Sequence, residues 1–97
     1  MSRVRFSPSA RRDLLDILRY IAADRPDAAT RFVRDLKRKC VRLADWPHLG
    51  SAADELLPGL RRSTHRDYVI LYRPAEDGAI IVRIVHGAKD QRHIAIG

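Results

Sequence analysis

The sequence predicts an α+β fold of order β-α-α-β-β-β, in which a helical hairpin packs on a curled antiparallel sheet. Three observations predict it. The chain opens on a short segment of alternating charged and apolar residues, continues with two stretches of helical period, and ends with three segments rich in Val, Ile and Tyr. With 97 residues, 45% apolar and 32% charged, it can bury one core and has no room for a second, so residues 1–97 are expected to form a single domain.

Residues Arg3 to Phe6 set Val4 and Phe6 on one face, as in a strand buried on one side. Ser7-Pro8 then supplies an N-cap oxygen and a first-turn proline, and Leu14, Ile17, Leu18 and Ile21 follow at helical spacing, so a helix is expected from Pro8 to Ala23. Pro26 disfavours helical geometry at Arg25 yet is tolerated in a first turn, so a second helix starts at once. Its apolar stripe is Ala29, Phe32, Val33, Leu36, Cys40, Leu43 and Ala44. Trp46-Pro47 ends it.

From His48 to Gly59 the chain reads as a surface loop. Strands are expected at Leu60 to Ser63, Tyr68 to Arg73 and Ala79 to His86, the last two joined by a turn over Pro74 to Gly78. Strict alternation in the last strand places Ile80, Val82, Ile84 and His86 on one face and Ile81, Arg83 and Val85 on the other. Arg83 therefore pairs within the fold or faces an open groove. The tail from Gly87 to Gly97 is polar as far as Arg92 and weakly apolar at Ile94 and Ile96.

Nineteen Lys and Arg against twelve Asp and Glu give a net charge of +7, and sixteen of the nineteen are Arg. Guanidinium groups suit planar contacts with carboxylate or phosphate, so the surplus fits an acidic protein or nucleic acid as partner; a general compositional preference for Arg would produce the same count. The lone Cys40 lies on the helical apolar stripe, where a small buried hydrophobe is expected and not a nucleophile. With neither a signal-peptide core nor a long apolar run, a cytoplasmic protein with no membrane contact is expected. His48, His65, His86 and His93 lack the paired spacing of metal sites, and no phosphate loop or nucleophile elbow occurs, so neither metal nor cofactor is expected.

Several segments, in order, resemble the RelE/ParE superfamily of bacterial toxins, and more closely its ParE-like branch. They are Phe6-Ser7-Pro8 leading to Ala10, Asp13, Leu14 and Ile17; Leu43, Pro47 and Gly50; Gly59-Leu60-Arg61; Tyr68 to Arg73; and Val82 to His86 before Lys89-Asp90. The resemblance implies a toxin of a type II toxin-antitoxin module, neutralised by a co-encoded ParD-like ribbon-helix-helix antitoxin and meeting operator DNA only through it. The ParE-like branch implies inhibition of DNA gyrase without covalent chemistry by the toxin. The RelE-like alternative implies ribosome-dependent cleavage of messenger RNA, but its basic residue after the strand aromatic is here Val69, and its C-terminal Tyr position falls at Ala95. Arg62, Lys89 and His93 are the residues that would serve such a nuclease. Binding without catalysis is the expectation.

For target action the sheet and tail supply Arg62, Arg73, Arg83, His86, Lys89, Asp90 and Arg92. For the antitoxin the hairpin supplies Leu14, Ile17, Leu18, Arg34 and Arg38, with core and interface undivided. Residues 1–50 carry twelve bases and six acids, residues 51–97 seven and six, so the basic excess lies mainly on the hairpin, where an acidic antitoxin would land. A generic nucleic-acid-binding module is a further alternative. It lacks interleaved exposed aromatics, since Tyr20, Tyr68 and Tyr72 read as partly buried and Trp46 lies at a helix end.

Overall fold

In a computed structural model that describes residues 2–96, β1 (Arg3–Phe6) exposes Arg3 and Arg5 and turns Val4 and Phe6 inward. Met1 and Gly97, which close the predicted domain and tail, lie outside the described residues. Ser7 caps α1 (Pro8–Ala22) as its Oγ accepts from the Ala10 N–H at 3.0 Å. Helix α2 (Pro26–Asp45) starts three residues after the α1 C-cap, and the two form the predicted hairpin. Then come β2 (Ser51–Ala52), β3 (Arg61–His65), β4 (Tyr68–Ala75), β5 (Gly78–His86) and a 3-10 turn at Gln91–His93.

The sheet order is β1-β5-β4-β3-β2. It differs from a wholly antiparallel sheet in one pairing, because β1 lies parallel to β5, with Arg3 opposite Gly78 and Phe6 opposite Ile81. The first strand carries no turn signal that names its neighbour, and the β4–β5 hairpin returns in its direction. A Cβ at Gly78 would fall 1.9 Å from the Arg3 carbonyl oxygen, so this parallel contact requires glycine. The extra strand β2 lies inside the predicted loop and pairs with Arg61 and Arg62. Two residues are too few to show a period.

Strand β4 runs through Pro74, where a turn was expected. That is tolerated because β3 ends opposite Tyr72, so β4 has a neighbour on one side only at Pro74. Likewise β3 extends to His65 and closes on Tyr68 through Arg66 and Asp67, with Arg66 at φ 56°. A bulge between Leu71 and Tyr72 leaves Val82 of β5 unpaired, which breaks the strict alternation expected there. In consequence Ile81 and Ile84 share the helix-covered face, while Val82 and Val85 share the other.

The larger core joins Leu14, Ile17, Leu36, Cys40 and Leu43 of the hairpin to Ile70, Tyr72, Ile81 and Ile84 of the sheet. Burial pushes the Cys40 thiol up to about 12, so it behaves as the hydrophobe its spacing predicted. A second cluster covers the opposite face: Ala53, Leu60, Val69, Leu71, Val82 and Val85, sealed by Leu56 and Leu57 of the loop and by Ile94 and Ile96 of the tail. The loop, expected as a surface connection, and the weakly apolar end of the tail therefore both supply cover for the sheet.

Tyr72 ties the loop to the larger core. Its fully buried hydroxyl donates to the Pro47 carbonyl at 2.7 Å and accepts from the Gly50 N–H at 2.9 Å. The backbone at Gly50 lies so close that a Cβ there would fall 2.5 Å from the Arg62 carbonyl oxygen and 2.7 Å from Tyr72 Oη. Tyr72→Phe strands both backbone partners and is expected to lower stability by about 1–3 kcal/mol in urea denaturation. A loss within measurement error would show that the hydroxyl does not hold the loop.

Candidate functional site

The site grows from an incomplete sheet edge. Strand β1 covers β5 only as far as Ile81, so the outward polar groups beyond that point need other partners. Helix α1 supplies them. The Ser7 Oγ donates to the Val82 carbonyl at 2.7 Å, and Asp13 Oδ2 accepts from the Ile84 N–H at 2.8 Å. The same Asp13 carboxylate takes Arg83 in a two-pronged pair, Nε at 2.8 Å and an Nη at 3.0 Å, while the other Nη donates to the Ala95 carbonyl at 2.7 Å. The side chains of Asp13 and Arg83 are 12% and 19% exposed. This hydrogen bonding raises the Arg83 pKa despite its burial, so the guanidinium stays charged.

Around that pair the tail assembles most of the predicted target-binding set. Arg83, Lys89, Asp90 and His93 line one open cavity with Val85, Ile94 and Ala95. Asp90 caps the 3-10 turn by accepting from the Arg92 N–H at 3.1 Å, and it also receives the Arg92 guanidinium at 3.1 Å and faces His93 Nε2 at 3.4 Å. The Arg92 hydrogen bonds hold the Asp90 carboxyl below its usual range. Arg62 reaches the tail from β3, with Nε on Gln91 Oε1 at 3.1 Å and an Nη 3.6 Å from Glu55. Arg73 stands apart, exposed opposite Ile80 on the far half of β4. Lys89 is exposed and makes no ion pair among the described residues.

His86 takes part in a row of rings instead of the tail patch. Its ring lies 5.4 Å from Tyr68, Tyr68 lies 5.6 Å from Phe32, and Phe32 lies 5.6 Å from His65. Partial burial lowers the His65 pKa and raises that of Tyr68. Phe32, Tyr68 and His86 floor a groove of about 650 Å³ between α1 and the paired Tyr68 and His86 ends of β4 and β5, walled by Ile17, Tyr20 and Ile21, with Asp16, Asp67 and Lys89 at its margins.

For the predicted antitoxin set, Leu14 and Ile17 are buried in the core, Ile17 also lining the groove, and Leu18 is half-buried. Arg34 and Arg38 are exposed on α2, 3.1 Å and 3.8 Å from the Asp35 carboxylate. The exposed apolar residues of the hairpin are others: Leu15, Tyr20, Val41 and Trp46. Tyr20 is 79% exposed, which corrects its reading as partly buried. The buried positions Ala10, Leu14 and Ile17, with half-buried Ile21, step by four, three and four residues and pass it by, so the stripe itself held that signal. With Trp46 exposed as well, the surface does carry aromatics among its bases.

What the arrangement offers chemically is a half-neutralised cationic patch beside an open aromatic groove. The residues that would serve a nuclease are divided: Lys89 and His93 share the tail cavity, Arg62 is engaged by Gln91 and Glu55, and His93 faces Asp90. Val69, at the position where the alternative required a base, is buried in the second cluster, and Ala95 contributes only its carbonyl.

A sequence model of ParE toxins of type II toxin-antitoxin systems, parDE, matches residues 4–91. Toxin ParE1 of Mycobacterium tuberculosis, in strains CDC 1551 and H37Rv, is 34% identical over 92 residues, spanning 92% of this chain and 93% of the relative. Among solved structures, the chromosomal ParDE system of P. aeruginosa matches with a TM-score of 0.75 at 21% identity, over 89% of this chain and 96% of the other. The RelBE2 toxin-antitoxin complex of M. tuberculosis matches with a TM-score of 0.60 at 26% identity, over 91% and 93%.

The unequal roles of the paired charges can be measured. Arg83→Ala is expected to cost about 2–3 kcal/mol and Asp13→Ala about 1 kcal/mol more, because the latter also strands the Ile84 N–H. A double-mutant cycle by chemical denaturation should return a coupling of about 1–3 kcal/mol. Additive losses would show that the two side chains do not support each other.

Proposed function

We propose that this chain, which belongs to the ParE toxin family of type II toxin-antitoxin systems, acts in the cytoplasm by binding DNA gyrase and is silenced by a co-encoded ParD-like antitoxin. The observation that carries the reading is the pairing of an open aromatic groove with a basic hairpin on one side and a tail patch of separate cations on the other. Two surfaces suit two partners. An amphipathic acidic segment of the antitoxin lays its apolar side chains on Tyr20, Ile21 and Tyr68, and its carboxylates meet the surrounding Arg residues. The target meets the tail, where the exposed Lys89 amine makes no ion pair among the described residues, Arg92 is held by Asp90 at the surface, and Arg62 is held by Gln91 and Glu55.

Two features support inhibition over RNA cleavage. Val69 fills a packed apolar position where a base would be needed, and Arg83, the best-placed cation, spends three donors on Asp13 and Ala95. Stabilising a phosphate in a transition state requires donors that are free to meet it.

Purified gyrase and relaxed plasmid provide the test. The chain should block supercoiling, the antitoxin should restore it, and primer extension after induction should find transcripts uncut. Arg92→Glu, in the tail and outside the groove, should weaken inhibition about tenfold, as expected for reversing one interface charge, while antitoxin binding is kept. Normal supercoiling together with specific cuts in messenger RNA would overturn the proposal in favour of a nuclease.

A further inference from the structure

Trp46 caps the C-terminal end of α2 with 67% of its surface exposed. Together with Arg42, Asp45, Pro47, His48 and Leu49 it lines a shallow apolar cavity of about 370 Å³, which shares no residue with the groove or the tail patch. Val41, also exposed, adjoins Arg42 on the helix. A tryptophan bordered by Leu and Arg has the composition of a binding hot spot, and nothing in the reading of antitoxin or target uses it.

Two charges stand beside the indole. Arg42 and Asp45 are three residues apart on the last turn of α2, close enough to pair, yet neither makes an ion pair among the described residues. Asp45 is moreover the last residue of the helix, where the free carbonyls disfavour a carboxylate. Its charge stands against the local field without a cation to offset it.

One cation and one anion beside an apolar centre make a self-complementary surface. About a two-fold axis, Arg42 of each copy meets Asp45 of the other, and the Trp46 and Leu49 side chains close on each other between the two pairs. A uniformly acidic or basic partner would instead set a like charge against one of the two. We propose that this surface joins two copies of the chain in a weak two-fold dimer, with Trp46 at its centre and two reciprocal Arg42–Asp45 ion pairs.

Sedimentation equilibrium of the full chain, purified free of antitoxin, tests the dimer. From micromolar to millimolar concentration the mass should rise from the 11.1 kDa of one chain towards twice that value. Trp46→Ala should abolish the rise. Arg42→Asp and Asp45→Arg should each weaken association about tenfold, and the double exchange should restore it, because it re-creates both pairs with their signs reversed. Circular dichroism checks that each variant is folded. A mass that stays monomeric throughout, a dimer indifferent to Trp46→Ala, or a folded double exchange that fails to recover would each overturn the proposal. A monomeric chain that loses toxicity on Trp46→Ala would also overturn it, and would assign the surface to the target.

Discussion

The fold depends on how α1 completes a sheet edge that β1 leaves unfinished. Strand β1 is four residues long and stops opposite Ile81, while β5 continues to His86. An unpaired edge would expose its backbone groups to water or to another chain. Ser7 and Asp13, six residues apart on the first turns of α1, engage the Val82 carbonyl and the Ile84 N–H. One helix therefore closes both the core beneath it and the edge beside it.

That arrangement determines which cations can act on a partner. Asp13, while it accepts from Ile84, also binds Arg83, and Arg83 in turn fixes the tail through Ala95. Arg83 is thus a joint between helix, strand and tail. Its commitment orders the segment that carries Lys89, Asp90, Arg92 and His93, in which Lys89 makes no ion pair among the described residues. Charge on the hairpin is arranged differently. Its Arg residues are exposed on α1 and α2, where ion pairs such as Arg34–Asp35 are solvated and stabilise little. They serve the encounter with an acidic partner more than the fold.

Much of this was legible in the sequence, for physical reasons that also mark the limits. Periodicity and Pro/Gly punctuation located both helices and the β4 and β5 strands within a few residues, because burial of Leu14, Leu36 and Ile70 imposes a repeat. The parallel pairing of β1 and the strand β2 were not legible, since four and two residues carry no information about which neighbour they will meet. The bulge at Val82 also escaped, because alternation read along one strand cannot reveal an extra residue relative to its partner. It moved Ile84 to the helix-covered face. At the site, the narrowing of Arg83 to an internal pair or an open groove was sound, but its partner lay 70 residues away in Asp13. Arg73 separated from the other cations because strand length, not composition, placed it at the far end of β4. The tail is polar as far as Arg92, and its weakly apolar Ile94 and Ile96 seal the second cluster, because two apolar residues are enough when a sheet face awaits cover.

Amide hydrogen exchange at Ile84 tests the central constraint most directly. If the Asp13 carboxylate completes the edge, the Ile84 N–H is protected in the native chain, and Asp13→Ala accelerates its exchange by more than about tenfold beyond the change at amides inside the sheet. Exchange at Ile84 that changes only in step with those interior amides would contradict the account, and would mean that the edge is closed by something other than α1.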